Sequence, residues 1–299
     1  MNYQLETFLS QPSDRKKVIV VYGPTASWKT SHAIELAKQL QTEIISTDSR
    51  QIYKHMNIGT WKVTYDEMQW VKHHMLDIIE PSEHYSVGQF IEDSEMHLTN
   101  MFHAWKIPIL AGWTWLYIDG LIYEKNAELP WDLELQKKLT QELSEKWSVF
   151  MHKKLKEIDP KYAQELHPNN SYYILRGLEV MMLTGKSKTY FRSNRKLKYD
   201  VFFAQTWANY TRKTLYERIN KRVEQMFEEW LEQEVRLLLE KWYKFWEPWM
   251  KSIGYSEFEA YFAWNYDREK CRKLIQQHSR NYAKRQLTWG RKYNSLTQL

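Results

Sequence analysis

Four short runs of mainly apolar residues stand out along the chain, at positions 17–22, 43–46, 106–111 and 199–206. Runs of this length are typical of strands that are buried within a parallel sheet. Between and after them lie stretches with helical periodicity, one of which follows the first run and begins near Ser31. We therefore predict an α/β fold in which helices flank a parallel sheet.

The helical stretches predict how the chain is divided. Residues 125–195 have helical spacing without a strand, and we interpret them as an all-helical subdomain inserted into a core domain. The core domain would then comprise residues 1–124 and 196–299. After the last strand, the apolar positions between 215 and 235 predict one long amphipathic helix.

The first strand leads into the segment Gly23-Pro24-Thr25-Ala26-Ser27-Trp28-Lys29-Thr30. A strand, a loop and a helix in this order are the context of a phosphate-binding loop, in which backbone N–H groups hold the anion. Lys29 is placed to meet phosphate oxygens, and Thr30 to offer its hydroxyl to Mg²⁺. Only Trp28 departs from the pattern, which has glycine there because a Cβ would keep the backbone away from the phosphate. The sequence thus predicts a phosphate-loop NTPase-like sheet.

Polar residues follow two of the predicted strands, at the edge where open parallel sheets bind ligands. Asp48 comes after the strand at 43–46, and Thr114 comes after the strand at 106–111. Asp48 is therefore a candidate for chemistry beside the phosphate, although an aspartate in this position can also cap a helix. No acidic pair closes the 106–111 strand, which argues against nucleotide hydrolysis of the kind in which an acidic group holds the metal.

The charge balance favours an anionic partner. Lys and Arg number 43 against 37 Asp and Glu, which gives a net charge of +6 and a pI of about 9.0. In the last helical stretch, Arg280 and Lys284 lie one turn apart with Tyr282 between them, a pattern that suits a nucleic-acid backbone. The spacing of Arg280 and Lys284 would also be found on a helical face that only contacts water. The net charge alone would also fit a basic protein without an anionic partner.

The sequence also indicates a compartment. Cys271 is the only cysteine, so an internal disulfide is excluded and a reducing environment is favoured. No apolar run approaches the roughly 18 residues of a membrane span, and residues 1–15 have no signal-peptide core. We expect a cytoplasmic protein without membrane contact.

Taken together, these motifs resemble the tRNA dimethylallyltransferases. The blocks that carry the resemblance follow one another along nearly the whole chain. They are Gly23–Thr30, Ile45–Ile58, His73–Asp77, Tyr85–Val87, Ile109–Tyr117, His167–Asn169, Arg176–Val180, Leu215–Val223, Ser252–Phe258 and Tyr282–Trp289.

The resemblance implies transfer of a dimethylallyl group from dimethylallyl diphosphate to the exocyclic N6 amine of the adenine that is 3′-adjacent to a tRNA anticodon. It implies that the loop, Lys29 and a Mg²⁺ ion at Thr30 bind the departing diphosphate, with help from Arg218. Asp48 would accept a proton from the attacking amine. The adenine must leave its stack to react, so a pocket for a flipped base is expected.

The resemblance also indicates which residues contact the anticodon stem-loop. Arg176 would contribute from the inserted subdomain, although Tyr172 and Tyr173 stand where relatives often carry a Gln-Arg pair. We expect the protein to act as a monomer. The residues expected to contact tRNA are Asp48, Ser49, Arg50, Gln51, Thr114, Arg176, Lys251, Tyr255, Arg280 and Lys284.

Tryptophan outnumbers glycine, at 15 residues against 9. Restoring glycine at every tryptophan except Trp289 would bring glycine close to its ordinary share of about 7%. We hypothesise that the gene uses UGA for glycine and was translated with a table that reads UGA as tryptophan. Positions at which the family has or readily takes glycine are 28, 61, 105, 113, 115 and 230, and those in loops or at helix ends are 70, 147, 207, 242, 246, 249 and 264.

Two other functions remain open from the sequence. A phosphate-loop nucleoside or nucleotide kinase would bind ATP, but the missing acidic strand end and the basic last helix argue against it. A non-catalytic tRNA-binding relative would follow if Trp28 is genuine, because an indole at this position obstructs the diphosphate site.

Overall fold

The computed structural model describes residues 3–124, 132–193, 195–206 and 211–290. The chain divides into two compact units. One comprises Met1–Ile122 with Lys198–Leu299, and the other comprises Tyr123–Leu197. Trp131 and Trp207, considered above, lie outside the described residues.

A sheet of five parallel strands forms the centre of the first unit. The strands are β1 (Lys17–Tyr22), β2 (Ile44–Thr47), β3 (His73–His74), β4 (Ile109–Gly112) and β5 (Asp200–Gln205). Their order in the sheet is β3-β2-β4-β1-β5, and each neighbouring pair is parallel. The predicted fold class, a phosphate-loop NTPase-like parallel sheet flanked by helices, is confirmed.

Helices make up most of the remaining described chain, and the second unit contains α6 to α9. In chain order the helices are α1 (Tyr3–Ser10), α2 (Lys29–Gln39), α3 (Tyr65–Met68), α4 (Val87–His103), α5 (Trp115–Ile122), α6 (Leu133–Ile158), α7 (Pro160–Gln164), α8 (Ser171–Thr184), α9 (Lys188–Ser193), α10 (Arg212–Glu228), α11 (Leu231–Glu240), α12 (Ser256–Phe262) and α13 (Arg268–Gly290). A 3₁₀ turn, Pro248–Lys251, precedes α12.

Two predicted elements differ from the structure. The pattern does not predict β3, because this edge strand is only two residues long and its side chains are histidines. The single helix predicted over 215–235 is wrong. Trp230 adopts a left-handed conformation with φ of 71°, and it separates α10 from α11.

The register of the sheet aligns the carboxyl ends of its strands. Tyr22, the last residue of β1, pairs with Gly112 of β4 and with Gln205 of β5. Thr47 of β2 also pairs with Gly112. The loops that follow β1, β2 and β4 therefore leave the sheet at one edge, and they carry the predicted site residues there. The strand β1 anchors this edge, since residues 18–22 are fully buried.

A buried carboxylate on α11 holds the loop that lies between β2 and β3. Glu234 accepts the backbone N–H groups of Asn57 and Ile58, each at 2.8 Å, and that of Gly59 at 3.1 Å. It also accepts the Tyr255 hydroxyl at 2.6 Å. The Tyr255 ring packs so close to Gly59 that a Cβ there would lie 2.4 Å from the ring. Four donors thus share one acidic side chain, which fixes this loop beside α10 and α11.

We predict that Glu234→Gln destabilises the fold by about 1–3 kcal/mol, because an amide cannot accept from all four buried donors. The free energy of unfolding in urea measures the loss. Glu240→Gln, at an exposed position of the same helix, serves as the matched control and should change stability by less than about 0.5 kcal/mol. Equal effects of the two changes would contradict the role given to Glu234.

Candidate active site

The phosphate loop leaves β1 at Gly23 and packs tightly at its base. A Cβ on Gly23 would lie 2.0 Å from Thr206 Oγ1 and 2.4 Å from Ser27 Oγ, so only glycine fits. The buried Ser27 hydroxyl is 2.7 Å from Thr206 Oγ1. The backbone N–H of Thr25 donates to Gln286 Oε1 of α13 at 3.0 Å. The end of β5 and the last helix therefore hold the loop in place.

Two residues of the loop adopt the left-handed conformation. Ala26 and Trp28 both have φ of 63°, and Trp28 is the N-cap of α2. Pro24 is buried in the first turn of the loop. Arg218 Nε donates to the Ala26 carbonyl at 2.8 Å, and its guanidinium lies 4.7 Å from the Trp28 ring. The free amides at the start of α2 point out of this loop, as at the anion sites of other helix N-termini.

Partly buried positive charge faces the loop from two helices. Burial lowers the pKa of Lys29 to about 8 and the pKa of Arg222 to about 9, and the nearby Asp48 carboxylate opposes both shifts. Arg222 Nη1 donates to Thr25 Oγ1 at 2.6 Å, but its buried Nε has no partner in the described part of the chain. No described residue gives Lys29 Nζ a hydrogen bond or an ion pair. Such cations bind an anionic ligand at little desolvation cost.

Asp48 follows β2 and faces the same space. Its Oδ1 accepts the backbone N–H of Arg50 at 2.9 Å, which forms a tight turn. It lines a cavity of about 370 Å³, called here the Asp48 cavity. Of the sequence-predicted residues, those that line it are Thr25, Lys29, Thr30, Asp48, Ser49, Arg50, Gln51 and Lys251.

Thr114 does not line the Asp48 cavity, but it contacts the loop that does. Its Oγ1 accepts the backbone N–H of Ser49 at 3.0 Å, and its own N–H donates to the Thr47 carbonyl at 3.0 Å. Thr114 thereby fixes the loop after β2 to the loop after β4. The predicted Thr114 contact with tRNA stays a prediction.

A larger cavity of about 870 Å³, called here the Trp28 cavity, adjoins the same loop. Trp28 and Arg218 line it, and the walls of both cavities include Lys29, Thr30 and Arg222. A third, small cavity of about 30 Å³ lies between Lys29, Thr30 and Asp48. Lys29 therefore lies in the wall between the two larger cavities and could contact a ligand in either of them.

An aromatic cluster fills the space below the loop. Trp113 and Trp115 are buried around Tyr22, with ring centroids 6.0 Å and 5.1 Å from the tyrosine ring. The two indoles lie 5.5 Å from each other. These are two of the positions at which the resemblance suggests glycine, so the chain as written carries much more volume here.

Besides Thr114, three residues of the first unit that were predicted to contact tRNA do not line the Asp48 cavity. Tyr255 is fully buried and supports the 57–59 loop through Glu234. Arg280 donates to Asn220 Oδ1 at 2.5 Å, across the packing of α10 and α13. Lys284 is exposed on α13. Arg176 belongs to the second unit and pairs with the buried Glu179 there.

The structure adds residues that sequence reasoning did not include in the site. Arg222 is the most important, and its spacing of one turn from Arg218 was the only sequence signal. Tyr282 lines the Asp48 cavity, and burial together with the charge of Asp48 raises its pKa to about 12. Arg285 and Gln286 of α13 line the same cavity.

The described ranges contain no group of three or more His, Cys, Asp or Glu side chains that would hold a metal ion. None of the described helices is long and apolar enough to cross a membrane.

Known proteins show the same architecture. The family model described as IPP transferase matches residues 51–293, and the one described as Isopentenyl transferase matches residues 16–81. The chain superposes on the tRNA isopentenylpyrophosphate transferase of Bacillus halodurans with a TM-score of 0.66 at 36% identity, over 93% of this chain and 87% of that one. A eukaryotic dimethylallyltransferase acting on tRNA gives a TM-score of 0.77 at 28% identity, over 92% and 69%.

Curated relatives agree along nearly their whole length. The tRNA dimethylallyltransferase of Acetivibrio thermocellus is 41% identical over 281 residues, which cover 93% of this chain and 90% of the relative. That of Halothermothrix orenii is 39% identical over 284 residues, with 93% and 86% covered. The resemblance inferred from the motifs is confirmed, and the chain belongs to the IPP transferase family, the tRNA dimethylallyltransferases.

Proposed function

We propose that this protein transfers a dimethylallyl group from dimethylallyl diphosphate to the N6 amine of the adenine that is 3′-adjacent to a tRNA anticodon. One observation carries the proposal: a partly buried cation without a protein partner, Lys29, and a carboxylate, Asp48, line the same cavity at the edge of the sheet. The first suits a departing anion, and the second suits a nucleophile that must lose a proton.

The phosphate loop would bind the diphosphate of the donor. The amides at the start of α2, Lys29 and Arg222 provide hydrogen bonds and positive charge, and Arg218 lies at the other side of the loop. In the reaction the bond between the allylic carbon and oxygen breaks, and both electrons leave with the diphosphate. Donors that are fixed before the reaction stabilise this growing charge, because they need no reorganisation.

Asp48 would act on the acceptor. The adenine N6 forms the new bond to the allylic carbon, and its surplus proton passes to the Asp48 carboxylate. The adenine must be flipped out of its stack to enter the Asp48 cavity. Tyr282 at the wall of this cavity offers an aromatic side chain beside the entering base.

The residues at the loop fit a magnesium ion. The Thr30 hydroxyl has no partner among the described side chains, and it lines the small cavity together with Asp48. Mg²⁺ takes oxygen ligands, keeps several waters and often binds through substrate phosphates. Thr30 would hold the ion; when bound, Mg²⁺ supplies positive charge to the diphosphate.

The surface around the Asp48 cavity suits the backbone of an anticodon stem-loop. Arg50, Lys251 and Arg285 line the cavity, and the exposed Lys284 precedes Arg285 on α13. Arg176 of the second unit is a further proposed contact. We also propose that the protein acts as a monomer in the cytoplasm, where the free, buried Cys271 remains reduced.

Replacement of the proposed proton acceptor gives the first prediction of activity. In a chain with glycine at positions 28, 113 and 115, Asp48→Asn lowers kcat by about 10² to 10⁴, the usual contribution of a general base. Prenylation of an anticodon stem-loop measures the rate, and stem-loop affinity should stay unchanged. Asp66→Asn, at an exposed position on α3, is the matched control. Equal rates for both variants would refute the role of Asp48.

Position 28 gives a second prediction. We expect the chain as written to be at least about 10²-fold slower than the chain with Trp28→Gly, Trp113→Gly and Trp115→Gly, because loop amides then reach the diphosphate. Alanine at the same three positions also removes the indole but keeps a Cβ. A comparison of the alanine and glycine chains therefore shows whether activity needs only the loss of the indole or needs glycine itself. If the glycine chain binds the stem-loop but transfers nothing, the protein is a non-catalytic relative. If it binds ATP and not dimethylallyl diphosphate, it is a kinase.

The pKa of Lys29 gives a third prediction. Its lowered value of about 8 means that the charged form is lost as the pH rises through 8 in the free enzyme. Affinity for dimethylallyl diphosphate should therefore fall between pH 7 and pH 9, as measured by calorimetry with the glycine chain. Lys29→Arg keeps its charge and should lack this fall, while titration of the ligand affects both proteins alike. Parallel pH profiles would contradict the assignment.

A further inference from the structure

We propose that the native protein carries glycine at the eight positions where the structure places tryptophan in the left-handed backbone conformation. The described chain has fourteen non-glycine residues with positive φ, and eight of them are tryptophan, whereas positive φ occurs at only two glycines. The eight are Trp28, Trp61, Trp70, Trp105, Trp147, Trp230, Trp242 and Trp264. A bulky residue in this region is a genuine outlier, and glycine is the residue that normally occupies it.

Three helices end in the same way. After α4, α11 and α12, the residues Trp105, Trp242 and Trp264 follow the C-cap with φ of 58°, 71° and 63°. Each donates its N–H to a carbonyl three residues back, and the next residue donates to a carbonyl five residues back. This pair of bonds is the Schellman motif, in which the position taken here by tryptophan is usually glycine.

Trp147 carries the strongest backbone argument. It lies inside α6 with φ of 67° and ψ of 161°, which is not helical. This part of conformational space is essentially restricted to glycine, because a Cβ clashes with the flanking peptide groups.

Trp28 and Trp230 occupy a third kind of position. They are the N-caps of α2 and α11, in the left-handed conformation and without a side-chain hydrogen bond to the helix. Tryptophan offers no acceptor for the free amides there, whereas glycine is among the residues that favour this position.

The indole rings gain little from these positions. Trp70, Trp105 and Trp264 are each about nine-tenths exposed, and only Trp61 of the eight packs partly against the core. Seven large aromatic side chains therefore lie mostly in water, where they bury little apolar area in return for backbone strain. The positions occur in both compact units and share only their backbone conformation, which argues against a common docking surface.

A coding rule explains the whole set. If UGA is read as glycine in the source of this gene, each of these codons yields tryptophan under a table that reads UGA as tryptophan. The remaining tryptophans with a described backbone do not have positive φ, so the backbone assigns nothing to them. The inference is independent of the proposed reaction, because it rests on backbone angles and hydrogen bonds.

Mass spectrometry of the protein isolated from its own source provides the direct test. Tryptic cleavage releases residues 18–29, 73–106 and 252–268, each of which contains one of the eight positions and no other tryptophan. We expect the peptides to have the masses of glycine at 28, 105 and 264. Tryptophan in any of the three would overturn the proposal for the set.

A second test examines the physical basis in recombinant protein. The triple variant Trp105→Gly, Trp242→Gly, Trp264→Gly should melt higher than the chain as written, by roughly 2–4 °C per position. The corresponding alanine triple should gain clearly less, because it keeps a Cβ. Trp246→Gly is the matched control, since Trp246 is 80% exposed but does not have positive φ, and it should bring no gain.

The outcomes of the second test separate two causes. A gain in the glycine triple alone supports the backbone argument. Equal melting temperatures of the glycine and alanine triples, or an equal gain from Trp246→Gly, would show that only the exposed indole matters and would overturn that argument.

Discussion

The site depends on positive charge that the protein itself does not neutralise. Desolvation lowers the pKa values of Lys29 and Arg222 to about 8 and 9, and the Asp48 carboxylate is the strongest charge that opposes both shifts. Burial of unpaired cations costs free energy, and it persists only where the fold around it is firmly held. The parallel sheet provides that support, because β1 is fully buried and pairs on both sides. An anion that binds here offsets the free-energy cost of these cations, and the folded protein therefore favours an anionic ligand at this site.

The position of Asp48 relative to Lys29 and Arg222 distinguishes the place of the donor from the place of the acceptor. Lys29 and Thr30 line all three cavities around the loop, whereas Asp48 lines the Asp48 cavity and the small cavity but not the Trp28 cavity. A donor with a diphosphate and an acceptor with an acidic proton therefore have distinct places. Glu234 contributes indirectly, since it holds the loop that bears Gly59 and Thr60 in the cavity wall.

Much of this arrangement was predictable from the sequence, for physical reasons. The strand β1 and the loop after it were predicted because a continuous apolar run before a glycine-led turn has few alternative folds. Asp48 was predicted because parallel strands end at one edge. Arg222 was not included, because the face of α10 that meets the loop is known only once α10 is docked. Glu234 was missed for a similar reason, since its amide partners lie about 175 residues away in the chain.

The hydrogen bond between Thr25 and Gln286 spans 261 positions of the chain. Ser27 likewise depends on Thr206, the residue that follows the last strand, for its hydroxyl contact. The ribosome makes the phosphate loop near the start of synthesis but supplies both of its supports much later. During translation at about 5–20 residues per second, the nascent polypeptide therefore carries a loop that lacks its bracing until the C-terminal helix emerges. We therefore expect the phosphate loop to bind its ligand only after Thr206 and Gln286 have been synthesised and have folded against it.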